Sequence, residues 1–292
     1  MNIVCLNGEF LPLQDARLSP MDAGFLLGDG VFETMRAQDG QVLFAAEHFA
    51  RLANGLRTLA IPYPVHPEEL LSWAHAVLDA NGLANARLRL SISRGPVRGG
   101  PVSPQEGEPT ALLAAFSVDE EALSQSRSRG WHLRTASFPK NHRSPLARIK
   151  SLSYAVALMA RREAHVSGAD AALLLNSEGA IAEADMANLF SVRQNVLLTP
   201  PVGDGALPGI MRGQVIRLAR EIGYAVHETR LMPEDLGIGG EVFATNAIVR
   251  IVPVVRVDDR LIGNGEPGRE TVRLTKALGG RIDQMLGAVR RG

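Results

Sequence analysis

Strict alternation and helical spacing divide this chain into short elements of both kinds. Residues 87–93 alternate, with Leu88, Leu90 and Ile92 on one face, which marks a strand with one buried side. Phe49, Leu52, Leu56 and Leu59 recur at helical intervals and predict a helix around them. A second helix is expected over 67–80, where the acids Glu68 and Glu69 suit the positive end of the helix dipole. Tight turns at Asn7-Gly8 and Gln38-Asp39-Gly40 join 3–6 to 9–13 and 31–36 to 41–44 as hairpins. Residues 111–118 read as a buried strand. Hairpins mixed with two helices, without a repeating strand–helix–strand unit, point to an α+β fold.

Residues 119–130 are polar and carry Ser124, Ser126 and Ser128, so a linker is expected there. Beyond it the pattern predicts strands at 131–137, 171–175, 188–192, 196–199 and 242–245, and helices at 152–165, 210–222 and 270–286. The expected organisation is a small α+β domain over 1–118, a linker over 119–130 and a larger α+β domain over 131–292, with a cleft between the domains.

Composition narrows the function. The 292 residues hold 31 Lys plus Arg against 31 Asp plus Glu, so no electrostatic footprint for nucleic acid appears. One cysteine, Cys5, excludes an internal disulfide framework and most cysteine metal sites, and no metal is expected. No apolar run approaches a membrane span, and the N-terminus has no signal-like pattern, so a cytoplasmic enzyme without a membrane partner is expected.

Several segments carry candidate chemistry. Gly28-Asp29-Gly30 resembles the start of a dinucleotide fingerprint, but Glu33 stands at the third glycine position and a strand follows. Two glycines turning the chain tightly before that strand is the simpler reading. In Leu207-Pro208-Gly209-Ile210-Met211-Arg212, proline and glycine lead into a helix whose free N–H groups suit an anion, phosphate above all. Lys150 stands at the edge of a predicted helix, Glu183 in an apolar stretch, and His48 and Arg51 about one turn apart on the first helix. Taken singly, each reads as a solvated surface charge.

Taken together they resemble the fold-type IV pyridoxal phosphate enzymes, also called class IV aminotransferases. The resemblance rests on Gly28 through Arg36, His48 through Leu52, Ile149 through Tyr154, Glu183 with Asn188-Leu189-Phe190, Leu207 through Arg212, and Phe243 through Ala247 running to Pro253-Val254. It implies a two-domain α+β subunit in a homodimer, with pyridoxal 5′-phosphate in the cleft between domains. Lys150 matches the Schiff-base lysine, and Glu183 the carboxylate facing the pyridine nitrogen. Arg51 matches a phosphate-binding arginine. Ile210 and Met211 match backbone donors to that phosphate, Thr245, Asn246 and Ala247 a second phosphate loop, and Leu207 a support for the ring. Tyr154 has no assigned role.

The chemistry needs these types: an amine that forms a transferable imine and then acts as a base, and a carboxylate that favours a protonated ring. Within the family, Thr34 and Thr245-Asn246-Ala247 look more like aminodeoxychorismate lyase, which splits 4-amino-4-deoxychorismate into 4-aminobenzoate and pyruvate. Arg98, in Arg98-Gly99-Gly100, is the candidate for contact with a substrate carboxylate, and Thr34 is a second candidate substrate residue. The alternative is an aminotransferase of branched-chain or D-amino acids, and a non-catalytic cofactor carrier is a remote third reading.

Overall fold

The computed structural model describes residues 2–64, 66–97, 107–238 and 240–289. The chain forms two compact units, one of Met1–Val118 with Ile149–Tyr154, the other of Asp119–Arg148 with Ala155–Gly292.

The first unit contains β1 (Ile3–Leu6), β2 (Glu9–Pro12), α1 (Ala23–Leu27), β3 (Gly30–Gln38), β4 (Gln41–Val42), α2 (Ala45–Thr58), α3 (Pro67–Ala80), β5 (Ala86–Ser93) and β6 (Thr110–Ser117). Its six strands run in the order β2-β1-β6-β5-β3-β4, every neighbour antiparallel. Alternation sends Val31, Met35, Leu88, Leu90 and Ile92 to one face, where they pack with Phe49, Leu52 and Leu56 of α2 and Leu70 and Val77 of α3. The same alternation turns Phe32 and Thr34 to the opposite face.

The segment Ile149–Tyr154 belongs to this unit, not to the larger domain in which the sequence placed Lys150. It lies extended beside β3. Ser151 bridges Val31, the Phe32 N–H donates to the Lys150 carbonyl at 2.8 Å, and the Leu152 N–H donates to the Gly30 carbonyl at 2.9 Å. Those bonds keep 152–154 out of the helix expected from 152, and α5 (Ala155–Val166) starts after them.

Gly28 and Gly30 make room for this segment. Gly28, at φ 67°, closes α1, and a Cβ there would meet the Ser153 hydroxyl at 2.7 Å. A Cβ on Gly30 would meet Leu152 at 2.5 Å and the Ile92 carbonyl at 2.6 Å. The two glycines serve a turn and a close approach of backbones.

The second unit contains α4 (Glu120–Arg129), β7 (Trp131–Thr135), α5, β8 (Ala171–Leu175), β9 (Ile181–Ala184), β10 (Asn188–Arg193), β11 (Val196–Thr199), α6 (Ile210–Glu221), β12 (Ala225–Glu228), β13 (Glu241–Asn246), β14 (Arg250–Val257), β15 (Arg260–Leu261) and α7 (Arg269–Val289). Its nine strands follow the order β12-β11-β10-β13-β14-β7-β8-β9, with β15 beside β14. Pairs β11–β12, β14–β7 and β7–β8 are parallel, and the rest are antiparallel. Leu133, Leu173, Ile181, Leu189, Val242 and Val252 lie in its core.

The expected linker is instead α4. The Asp119 carboxylate accepts from the Ala122 N–H at 2.9 Å, acids fill the first turn and Arg127 and Arg129 the last, so caps and dipole stabilise a helix that lacks an apolar face. Strand β14 escaped the hydrophobic pattern because it contains Pro253, which gives no N–H to a ladder. Among the described residues no helix is long and apolar enough to cross a membrane.

Candidate active site

On the face of the first unit's sheet opposite its core, Lys150 stands among aromatic rings. Its Nζ lies 4.5 Å from the centre of the Phe32 ring and 5.5 Å from that of Tyr154. The two rings meet edge to face, with centroids 5.4 Å apart. The Arg89 guanidinium lies 3.6 Å from the Phe32 ring centre, and Arg89 is the cross-strand partner of Thr34. Stacked cations of this kind contribute about 0.5–2 kcal/mol each and hold the side chains in place. Burial pulls the Arg89 guanidinium below its ordinary pKa, with Tyr154 opposing and Arg87 reinforcing. A guanidinium short of water favours an anionic partner.

Behind the same strand, Glu33 is fully buried and accepts from Arg51 through Nε at 2.8 Å and Nη2 at 2.6 Å. His48 Nδ1 lies 2.7 Å from Glu33 Oε2. Burial alone would push the Glu33 carboxyl up. Arg51 and His48 outweigh it and hold the carboxyl at about 2. His48 is only 1% exposed, so the solvated helix face expected here is a buried charge cluster. Glu33 fixes the plane of the Arg51 guanidinium.

In the second unit, Glu183 on β9 is surrounded by donors. Its Oε1 accepts from Lys140 Nζ at 2.6 Å. Its Oε2 accepts from the Leu207 N–H at 2.9 Å and from Asn188 Nδ2 at 3.3 Å. Asn188 Nδ2 also donates to the Leu207 carbonyl at 2.8 Å, so the asparagine five residues after Glu183 ties it to the segment before α6. That segment reaches α6 through Gly209, where a Cβ would meet Asn188 Oδ1 at 1.9 Å. Gly209 provides no side-chain cap, which leaves the first-turn N–H groups of Ile210 and Met211 as anion donors. Thr245 is the cross-strand partner of Asn188 and donates its hydroxyl to the Arg250 carbonyl. Asn246 Oδ1 accepts from the Ile248 and Val249 N–H groups, both at 2.9 Å, and shapes the turn that holds Ala247.

The structure thus gathers Glu183, Leu207, Ile210, Met211 and Thr245-Asn246-Ala247 in the second unit, and Lys150 with Thr34 in the first. Arg51, in the first unit, is held by Glu33 on the other side of the strand. Arg98 lies outside the described residues. Sequence reasoning missed Lys140 and Arg89. Arg89 lies on the polar side of the alternating strand at 87–93, a usable signal, whereas Lys140 sits in an irregular segment that offers none. Among the described residues no group of three or more His, Cys, Asp or Glu is placed to hold a metal ion.

The family model described as amino-transferase class IV matches residues 30–257. A Methanocaldococcus jannaschii protein provisionally named branched-chain-amino-acid aminotransferase is 36% identical over 271 residues, 93% of each chain. The aminodeoxychorismate lyase of Bacillus subtilis is 30% identical over 286 residues, 97% of this chain and 96% of that one. The crystal structure of a T.th. branched-chain amino acid aminotransferase with pyridoxamine 5′-phosphate superposes with a TM-score of 0.88 at 29% identity, covering 94% of this chain and 92% of that one.

Proposed function

The chain belongs to the class IV aminotransferase family, and from that premise we propose that it is a pyridoxal 5′-phosphate-dependent aminotransferase of branched-chain amino acids. The observation that carries the reading is the Lys150 amine set against Phe32 and Tyr154 with Arg89 on the same ring: an amine, an apolar wall and a guanidinium suit an amino acid with an apolar side chain. The 36% identity to the archaeal aminotransferase, against 30% to the lyase, favours transamination over the lyase reaction that the motifs suggested. The lyase is the second reading, supported by near full-length similarity and by Thr34 with Thr245-Asn246-Ala247.

The residues present fit the cofactor. Glu183 takes three donors on two oxygens with about four lone-pair sites, which leaves an acceptor position on Oε1 for a ring N–H. The uncapped start of α6 suits a phosphate. Bound pyridoxal phosphate supplies a carbonyl carbon that takes up amines and a ring that delocalises negative charge. Lys150 would carry the group at rest; once free, its amine would take the proton from the substrate's α-carbon and deliver it to the cofactor carbon that carries the nitrogen. Glu183 holds a proton at the ring nitrogen. The α6 N–H groups, Thr245-Asn246-Ala247 and Arg51 hold the phosphate, Leu207 supports the ring, Thr34 and Arg89 orient the substrate carboxylate, and Phe32 and Tyr154 keep water from the amine.

A homodimer is part of the reading, supported by the exposed Phe25, Leu26 and Leu27 on α1. Light scattering tests it, and a wild type of one-chain mass overturns it. The activity test supplies the loaded protein with leucine, valine, D-alanine and aminodeoxychorismate, an oxo-acid acceptor being present. Oxo acid from leucine and valine is expected. Formation of 4-aminobenzoate and pyruvate from aminodeoxychorismate, with no oxo acid made from leucine or valine, overturns the aminotransferase reading in favour of the lyase.

A further inference from the structure

The second unit contains a cation whose position the functional reading does not use. Lys140 Nζ lies 2.6 Å from Glu183 Oε1 and 2.8 Å from the Gly205 carbonyl. Both ends of this contact are held. The Lys140 N–H donates to the Leu175 carbonyl at 2.7 Å, and Lys140 bridges Asn176 in parallel. Buried Asn176 donates to the Asp204 carbonyl at 3.1 Å, and the Asp204 carboxylate is gripped by Arg230 at 2.6 and 3.1 Å. Gly205 follows at φ 104°, where a Cβ would meet His142 at 2.9 Å, so this carbonyl sits where only glycine fits comfortably. A lysine with two fixed acceptors and little solvent is a built feature, unlike a surface ion pair.

We propose that Lys140 is a positioning residue that keeps Glu183 a weak base, so that a proton shared between Glu183 and the cofactor's ring nitrogen stays on the nitrogen. The proposal rests on the reading that Glu183 faces that nitrogen. The open acceptor position on Glu183 is on Oε1, the oxygen that Lys140 touches. A positive charge in direct contact with that oxygen lowers the oxygen's proton affinity more than that of any group bonded on its far side. Without Lys140, Glu183 becomes the better base and draws the proton to itself. The ring then loses its charge and its capacity as an electron sink. No covalent bond to carbon changes, since one proton moves between nitrogen and oxygen.

Two neutral variants, Lys140→Met and Lys140→Gln, and the charge-keeping Lys140→Arg provide the test, with circular dichroism to establish folding. In protein loaded with nitrogen-15-labelled pyridoxal phosphate, the ring-nitrogen signal should move toward its unprotonated position in the neutral variants and in Glu183→Gln, with Lys140→Arg restoring it. A signal that moves in Glu183→Gln but stays at wild type in both neutral variants overturns the role of Lys140 and leaves the reading of Glu183 standing. A signal unmoved by Glu183→Gln overturns both.

Discussion

Phe32 and Glu33 are consecutive residues on β3 and send their side chains to opposite faces of one sheet. Phe32 receives the Lys150 amine and the Arg89 guanidinium on one face. Glu33 receives Arg51 and His48 on the packed face. Strand alternation alone accomplishes this separation. One dipeptide therefore supports both the amine of the candidate site and the arginine assigned to phosphate. The Phe32 N–H donates to the Lys150 carbonyl as well, so backbone and side chain of one residue hold the lysine.

Glu33→Gln should destabilise the protein by about 3–5 kcal/mol at pH 7, because Arg51 would keep its buried place without a counter-charge. The pH profile should change too. The folded pKa of about 2 lies below the ordinary value of 4.5, so this stabilisation is complete above the ordinary value and disappears as pH falls toward 2. The difference corresponds to something on the order of 3 kcal/mol. Urea titrations from pH 7 to pH 2 should show the wild type losing this contribution and the variant nearly flat by comparison. Parallel profiles would mean that the Arg51–Glu33 pair does not depress the carboxyl.

Gly28→Ala should loosen the lysine segment before it unfolds the unit. The residue needs φ 67°, and the new methyl would strike Ser153, three residues from Lys150. Strain of this kind costs about 1–3 kcal/mol and can be relieved by moving 149–154 away from β3. Expected are faster hydrogen exchange at the Phe32 and Leu152 amides and weaker retention of cofactor on dialysis, with the core of α2 and α3 unaffected. Gly40→Ala serves as the control, since no atom lies within 4 Å of a Cβ there. Equal effects at both positions would assign the loss to backbone strain alone.

The strands and helices with a clear period were legible because burial on one face leaves a period in the chain: Leu88, Leu90 and Ile92 mark β5, and Phe49, Leu52 and Leu56 mark α2. What escaped has identifiable causes. Helix α4 is stabilised by its cap and charges without burying a face, and Pro253 disguised β14. Residues 149–154 lie extended because Gly28 and Gly30 let them approach β3, a tertiary contact that no local pattern encodes. Lysine, carboxylate and loop motifs were legible as types at a spacing. Partnerships were not: Glu33 with Arg51 spans 18 positions and Lys140 with Glu183 spans 43, and nothing in either local sequence announces the other.

Lys150→Ala should abolish borohydride-trappable pyridoxal phosphate and nearly all turnover while leaving the fold intact. The Lys150 side chain lies over rings and is not packed in the core cluster, so its removal leaves the β3 hydrogen bonds in place. Thermal melting should shift little, and mass spectrometry after borohydride treatment should find no labelled peptide. Label retained at another lysine would displace the assignment.

Arg89→Met tests which arginine meets the substrate carboxylate. Arg89 stands on the Phe32 ring beside Lys150 and is short of water, whereas the competing candidate Arg98 has only its sequence motif in its favour. A charge-assisted contact with a carboxylate is worth about 1.5–3 kcal/mol, so losing it should raise KM for leucine roughly tenfold or more. Methionine keeps most of the apolar stem against Phe32, which limits the change in stability. An amine without a carboxylate, such as isopentylamine, should be used equally slowly by wild type and variant, because it never made the contact. A tenfold loss in Arg98→Met with none in Arg89→Met would transfer the role to Arg98. A loss shared by the carboxylate-free amine would show that Arg89 acts by shaping the Lys150 surroundings instead of by binding the carboxylate.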